Sequence, residues 1–349
     1  MSRGAAILAS LLVTIGRPTW WLLALCGFLF RGGFLVFFLP IVTLPSPLAL
    51  SNIVAPLIVP VAFGQIGGDA VVAAAAALVV LVAWLVVGGA VAAAMDLALI
   101  REARDAATDE GLEPAGQRSG ARDRQLVGRI LAARLVAAVP LALAIAIGLV
   151  RIVAIAYVEL TNPIDVETPL VARVATGAAP QLAVVVLAWL FGEVVGGGAS
   201  RWIALEGTPV ARALARALAD AVRRPRSTLL PWLATSIVLL VVAGLDLAAA
   251  RIAWERAEIV LSTSTTDAGA AAVALLAFVA TWLAALVLTG VLVAIRSAMA
   301  TFEHARWRLA AADSRTPGTS ATQDDPGTFG ASTHHRPGDW SGHGEGGSL

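Results

Sequence analysis

Long, mainly apolar stretches separated by arginine-rich segments are the feature that most limits what this chain can fold into. A helix rising 1.5 Å per residue needs about 20 such residues to cross a hydrocarbon layer about 30 Å thick. Stretches of that length recur near residues 19–44, 70–97, 135–158, 174–199, 229–249 and 270–295. With 58% of residues hydrophobic and only 14% charged, a soluble core would leave too much apolar surface in water. The sequence therefore predicts an all-α integral membrane protein. The expected architecture is a bundle of about six transmembrane helices with interfacial amphipathic helices. An amphipathic N-terminal helix is expected at 1–18, the six-helix transmembrane domain at 19–312, and a disordered cytoplasmic tail at 313–349. That tail is rich in Gly, Ser, Thr, Pro and His and cannot bury enough surface to offset chain entropy.

Arginine placement predicts orientation, because positively charged loops are retained in the cytoplasm. All 25 basic residues are arginine, a usage that fits a GC-rich bacterial genome. With the N-terminus inside, the inner segments hold 20 arginines. The outer segments hold four, Arg151, Arg173, Arg251 and Arg256, and Arg31 lies within the first span. This places a multi-pass protein in the cell inner membrane with both termini cytoplasmic. A cleaved signal is not expected, since Gly16-Arg17-Pro18 interrupts the first apolar run and a longer one follows. Cys26 is the only cysteine, so no intramolecular disulfide forms, and it reads as a buried inert thiol.

The connecting segments differ in kind. The stretch 101–124 mixes both signs of charge with glycines and reads as a hydrated linker. The uncharged stretch 45–68, with Pro45, Pro47, Pro56 and Pro60, reads as a cap over the outer helix ends or as a re-entrant piece lining a cavity. Amphipathic helices are expected before several spans. In the first, Arg3, Ser10, Thr14 and Arg17 share a polar face opposite Ile7, Leu8, Leu11, Leu12 and Ile15. A second begins at Thr208-Pro209, read as an N-cap followed by proline at the first helical position. There Arg212, Arg216, Asp220 and Arg223 form one stripe, and Leu214, Leu218 and Val222 lie on another face. Arg212, Arg216, Arg223, Arg224 and Arg226 thus form a basic membrane-surface face expected to meet anionic phospholipids.

Arg-Pro recurs between amphipathic helix and span, at Gly16-Arg17-Pro18 before Trp20-Trp21 and at Arg223-Arg224-Pro225 before Trp232. With this pattern the chain, mainly over 206–244, resembles the membrane domains attached to some bacterial glycerophosphodiester phosphodiesterases and related polytopic proteins. The resemblance implies a helical membrane module without catalytic residues of its own; the phosphodiesterase domain is not part of this sequence.

Charges inside a span are costly, about 2.5–3.5 kcal/mol for arginine at the centre, and mark functional candidates. Arg31 and Glu193 are such charges. From the expected spans, Glu193 lies roughly 9 Å and Arg31 roughly 17 Å from the inner boundary. An arginine side chain bridges that difference, which makes Arg31–Glu193 a candidate pair; exchanging the two charges is then expected to restore what either reversal destroys. The alternatives are a partner for Glu193 among Arg201 and Arg134, and a broken first span that lets Arg31 reach water. Gly192 and Gly196 form a GxxxG that, with Gly88-Gly89, reads as close helix packing. Trp20, Trp21, Trp202, Trp232, Trp254 and Trp307 lie at expected span ends, as an aromatic belt does.

Catalytic chemistry finds no foothold. His304, His334, His335 and His343 stand at no metal-ligand spacing within a span, there is no lysine for a phosphate loop, and no serine or aspartate sits in a nucleophile setting. No enzyme activity, cofactor, metal or nucleic acid is expected. The reading is a non-enzymatic module that organises lipids or partner proteins, with a membrane protein partner or homo-oligomer as further company. The alternative is a transporter or permease subunit with Arg31 and Glu193 in or near the pathway. A membrane-embedded lipid enzyme is a third reading, for which no residue constellation is found.

Overall fold

The computed structural model describes residues 3–38, 41, 67–111, 123–161, 168, 170–262 and 268–313. Most of the 45–68 stretch, the centre of the 101–124 linker, and the tail with His334, His335 and His343 lie outside the described residues. The chain divides into Met1–Leu309 and Ala310–Leu349, the latter described only through Ala310–Asp313.

Among the described residues every regular element is helical. A surface helix, α1 (Arg3–Ile15), leads into a broken first span made of α2 (Pro18–Phe28), a π turn (Leu29–Gly33) and α3 (Phe34–Phe38). Then follow α4 (Gly68–Asp109), α5 (Asp123–Thr161), the short α6 (Leu170–Gly177), α7 (Ala179–Glu206), the surface helix α8 (Val210–Arg223), α9 (Pro225–Ser262) and α10 (Ala268–Asp313). Six helices are long and apolar enough to cross a membrane. The protein is an all-α polytopic membrane bundle.

Successive spans alternate in direction. Arg101 donates to Asp123 at 2.7 Å across the α4–α5 connection. Arg129 donates to the Gly207 carbonyl at 2.9 Å at the α7 terminus. At the opposite end Trp282 of α10 donates to the Phe37 carbonyl at 3.0 Å, and Arg173 approaches Glu159 to 3.2 Å. One end of the bundle thereby gathers most of the described arginines. The helices run further there than a sequence reading of spans allows: α4 continues through Arg101 and Arg104 to Asp109, so the first part of the expected linker is helix.

Large apolar side chains such as Leu143, Val150, Leu187 and Leu276 are exposed, while the packed core lies toward the arginine-rich end. That is the pattern a lipid solvent dictates, since burying leucine away from lipid gains nothing and contact depends on small residues. Gly196, Gly197 and Gly198 show it position by position. Successive residues point about 100° apart around a helix. A Cβ on Gly196 would meet Arg134 and Ala137 of α5, one on Gly197 would sit 2.6 Å from the Trp232 ring of α9, and one on Gly198 3.0 Å from Ala217 of α8. Three consecutive glycines thus bring three neighbours against α7.

Both surface helices dock by their small residues. In α1, Ser10 and Thr14 are fully buried and their hydroxyls donate to the Ile7 and Ser10 carbonyls at 2.7 and 2.6 Å. Leu8, Leu12 and Ile15 are exposed. The serine and threonine of the expected water-facing stripe therefore face protein, because a hydroxyl bonded to its own helix buries no unmet donor. In α8, Ala213, Ala217 and Ala221 form the buried stripe, at about 0.8 kcal/mol for each methyl-sized group removed from water. Leu218 and Val222 stay exposed on one flank and Arg212 and Arg216 on the other. Pro209, expected at the first helical position, has extended backbone and is itself the cap, so α8 begins one residue later at Val210, and Gly207 (φ 66) ends α7 in the left-handed conformation.

Candidate functional site

All six spans converge on one buried charge cluster. The first span breaks at the π turn, where Gly32 has φ 102. A π turn inserts an extra residue and recurs at functional positions. Arg31, inside it, folds back toward the arginine-rich end: its Nη2 would lie 3.8 Å from a Cβ on Gly27, one turn earlier. There it hydrogen-bonds Asp96 of α4. Arg134 of α5 donates to the other Asp96 oxygen at 3.0 Å and lies 3.7 Å from Glu193 of α7. Arg296 of α10 donates to Glu193 at 2.9 Å. Arg31 and Glu193, the charges singled out from the sequence, are brought to 3.9 Å, and each has a nearer partner. Gly27 packs level with Ala92 and Met95, and Phe30 level with Gly88, so Arg31 sits deeper in the bundle than Asp96 and its side chain reaches back toward the arginine-rich end, in the sense the sequence led one to expect.

Arg201, two turns further along α7, is buried with no carboxylate in ion-pair range among the described residues. It donates to the Gly197 and Ser297 carbonyls at 2.8 Å and to Thr301 Oγ1 at 3.2 Å. The sixth span supplies Trp232 of α9, whose ring carries Arg296 at 4.9 Å and Arg201 at 5.5 Å. Four guanidiniums thus surround two carboxylates, and two donors, Arg134 Nε and Arg296 Nη1, have no hydrogen-bond partner among the described residues. A guanidinium near an indole face gains about 2 kcal/mol when desolvated, which offsets part of the excess positive charge.

Three of the six tryptophans expected in an aromatic belt are instead buried in protein. Trp20, Trp202 and Trp232 are buried at the arginine-rich end. Arg17 stacks on Trp20 at 5.2 Å, Arg216 on Trp202 at 4.8 Å and Arg224 on Trp307 at 4.3 Å. Trp202 Nε1 donates to Asp220 at 3.1 Å, which fastens α8 to α7, and Trp20 Nε1 donates to Glu102. Each ring offers an apolar body for packing and a donor and π face for charge.

Beside the cluster opens a cleft of about 100 Å³ between α7, α8, the start of α9 and α10. Arg201 and Trp232 belong to both. Arg224, Arg306, Ser227 and Thr228 add polar groups to its lining, and Trp202 and Trp307 add aromatic walls. Of its acids, Glu303 is held by Arg306 through two bonds of 2.7 and 2.9 Å, and Asp220 by Trp202. No family model, curated protein or solved structure matches this chain. The geometry alone must carry the reading.

Sequence reasoning passed over Asp96 and Arg296, and weighed His304 only as a metal ligand. Asp96 lies inside the expected second span, and the rule that flagged Arg31 applies to it equally. Arg296 stands one residue past an expected span end, where a charge reads as a loop charge. His304 packs edge-on to Trp202 and lies 3.8 Å from Glu206. Among the described residues no three His, Cys, Asp or Glu side chains are grouped to hold a metal ion. Of the expected surface arginines, Arg216 pairs with Glu206 at 3.3 Å and Arg224 turns onto Trp307; Arg212, Arg223 and Arg226 are exposed.

Proposed function

We propose that this protein is a non-enzymatic membrane module that organises anionic lipid at one leaflet, in a cell inner membrane with its arginine-rich end in the cytoplasm. What supports the reading is the way α1 and α8 dock. Each buries small residues against the bundle and turns leucine, isoleucine or valine outward, with exposed arginines on the other flank of α8. A helix placed so at an interface sinks its apolar flank into acyl chains and holds its arginines among headgroups. Each basic residue near an anionic surface contributes about 1 kcal/mol. Spin-labelled lipids test this in vesicles of equal parts phosphatidylcholine and phosphatidylglycerol. The protein should immobilise labelled phosphatidylglycerol in preference to phosphatidylcholine, and high salt or replacement of Arg212, Arg216 and Arg223 by glutamine should remove the preference. Equal immobilisation of both labels would sink the reading.

The charge cluster favours a second reading, a transporter subunit with Arg31 and Glu193 at the pathway. Excess positive charge beside a π turn is an arrangement suited to a passing anion. Anion flux into proteoliposomes that disappears in Arg134→Gln would support it, and the absence of flux above protein-free vesicles would discard it.

A further inference from the structure

We infer that the cleft between α7, α8, α9 and α10 binds a phosphate group, and that in the membrane this is the headgroup phosphate of one anionic glycerophospholipid. The inference rests on the leaflet-binding reading and narrows it to one place.

Within the cleft, Arg306 is neutralised by Glu303, and Asp220 is engaged by an indole N–H. Arg201 and Arg224 remain without a carboxylate among the described residues. Arg201 is 4% exposed, and a buried cation without a counter-charge is costly. The neighbouring cluster offers only distant relief: Asp96 and Glu193 attract Arg201 without bonding it, and Arg134 and Arg296, which those carboxylates already hold, repel it. An anion in the cleft relieves both.

About 100 Å³ accommodates roughly three waters at about 30 Å³ each, or one phosphate group, and excludes a whole lipid. Guanidinium forks match phosphate oxygens geometrically. Arg201 stands at the inner wall, and Arg224, exposed and stacked on Trp307, can swing onto a ligand. The cleft lies between surface helix α8 and three tryptophans, and the exposed Leu218 and Val222 of the same helix offer the contact that acyl chains require.

Native mass spectrometry on the full chain, extracted from nanodiscs of equal parts phosphatidylcholine and phosphatidylglycerol, tests the site. The wild-type protein should retain one phosphatidylglycerol in preference to phosphatidylcholine. Arg201→Gln removes buried bonds and is expected to destabilise the fold, so the exposed Arg224→Gln carries the test. It should weaken retention about tenfold, the equivalent of one charge-assisted bond, while Arg151→Gln, exposed at the opposite end of the bundle, leaves it unchanged. Equal retention by wild type and Arg224→Gln overturns the site, even where the spin-label preference persists; loss of that preference with Arg224-dependent retention overturns only the leaflet reading. A third arm titrates inorganic phosphate into protein held in pure phosphatidylcholine. Arg224-dependent phosphate binding without any retained phosphatidylglycerol would overturn the lipid as the source and leave a free-anion site.

Discussion

Glu193 on α7 accepts a hydrogen bond from Arg296 on α10 at 2.9 Å while also lying within 4 Å of Arg134 and Arg31. One carboxylate therefore answers to three guanidiniums from three other spans. Removing its charge should cost more than removing any single arginine. Glu193→Gln is expected to destabilise the bundle by about 3–5 kcal/mol, the usual penalty for orphaning a buried charge. Arg31→Gln, which leaves Asp96 its bond to Arg134, should cost less. Unfolding in detergent compares them, and equal losses would contradict the shared-carboxylate arrangement.

The same geometry reverses an expectation drawn from the sequence. If Arg31 and Glu193 were an isolated pair, exchanging their charges would restore stability. In the structure a glutamate at position 31 would face Asp96, and an arginine at 193 would face Arg296 and Arg134. The double variant Arg31→Glu with Glu193→Arg should therefore fail to accumulate, like each single reversal. Recovery of wild-type yield in the double variant would argue for the isolated pair.

Gly197 and Gly244 offer a matched contrast. A Cβ at Gly197 would lie 2.6 Å from the Trp232 ring, whereas one at Gly244 meets nothing within 4 Å. Gly197→Ala should displace Trp232 from beneath Arg201 and Arg296 and destabilise by about 1–3 kcal/mol, the range for overpacking. Gly244→Ala should be neutral, or stabilise by up to about 1 kcal/mol through helix propensity. Thermal unfolding of the two variants decides it; a costly Gly244→Ala would show that helix α9 packs differently there.

Gly32 poses a backbone question. No neighbour blocks a Cβ there, yet φ 102 lies where L-residues are strained. Gly32→Ala should cost about 1–2 kcal/mol from conformation alone and favour a straighter first span. Arg31 would then turn away from Asp96. Crosslinking between cysteines placed at positions 31 and 96 should fall in that variant, and unchanged crosslinking would show that the π turn does not depend on glycine.

The flanks of α8 can be told apart by small probes. A nitroxide replacing Val222 should be relaxed by oxygen dissolved in the acyl region, and one replacing Arg216 by a water-soluble nickel chelate. Aqueous behaviour at both positions would remove the helix from the interface and with it the support for leaflet binding.

What the sequence settled unaided is the number of crossings and the gathering of arginine-rich segments at one end. Both follow from a one-dimensional rule: about 20 apolar residues span hydrocarbon, and charge stays outside it. The direction of the surface helices' faces was legible only in part. Ser10 and Thr14 read as a wet stripe, but helical hydroxyls can satisfy themselves on the preceding turn, so the tertiary structure was free to bury them. Partnership was legible only in part: Arg31 and Arg134, both weighed as partners of Glu193, come within 4 Å of it, while its nearest partner, Arg296, was not foreseen. Arg134, Arg201 and Arg296 read as charges flanking spans, and Asp96 passed unnoticed near a span end, because position along one helix says nothing about rotation toward another. Which side chains meet depends on how closely the helices approach, and that was decided in three dimensions by the glycines at 196, 197 and 198.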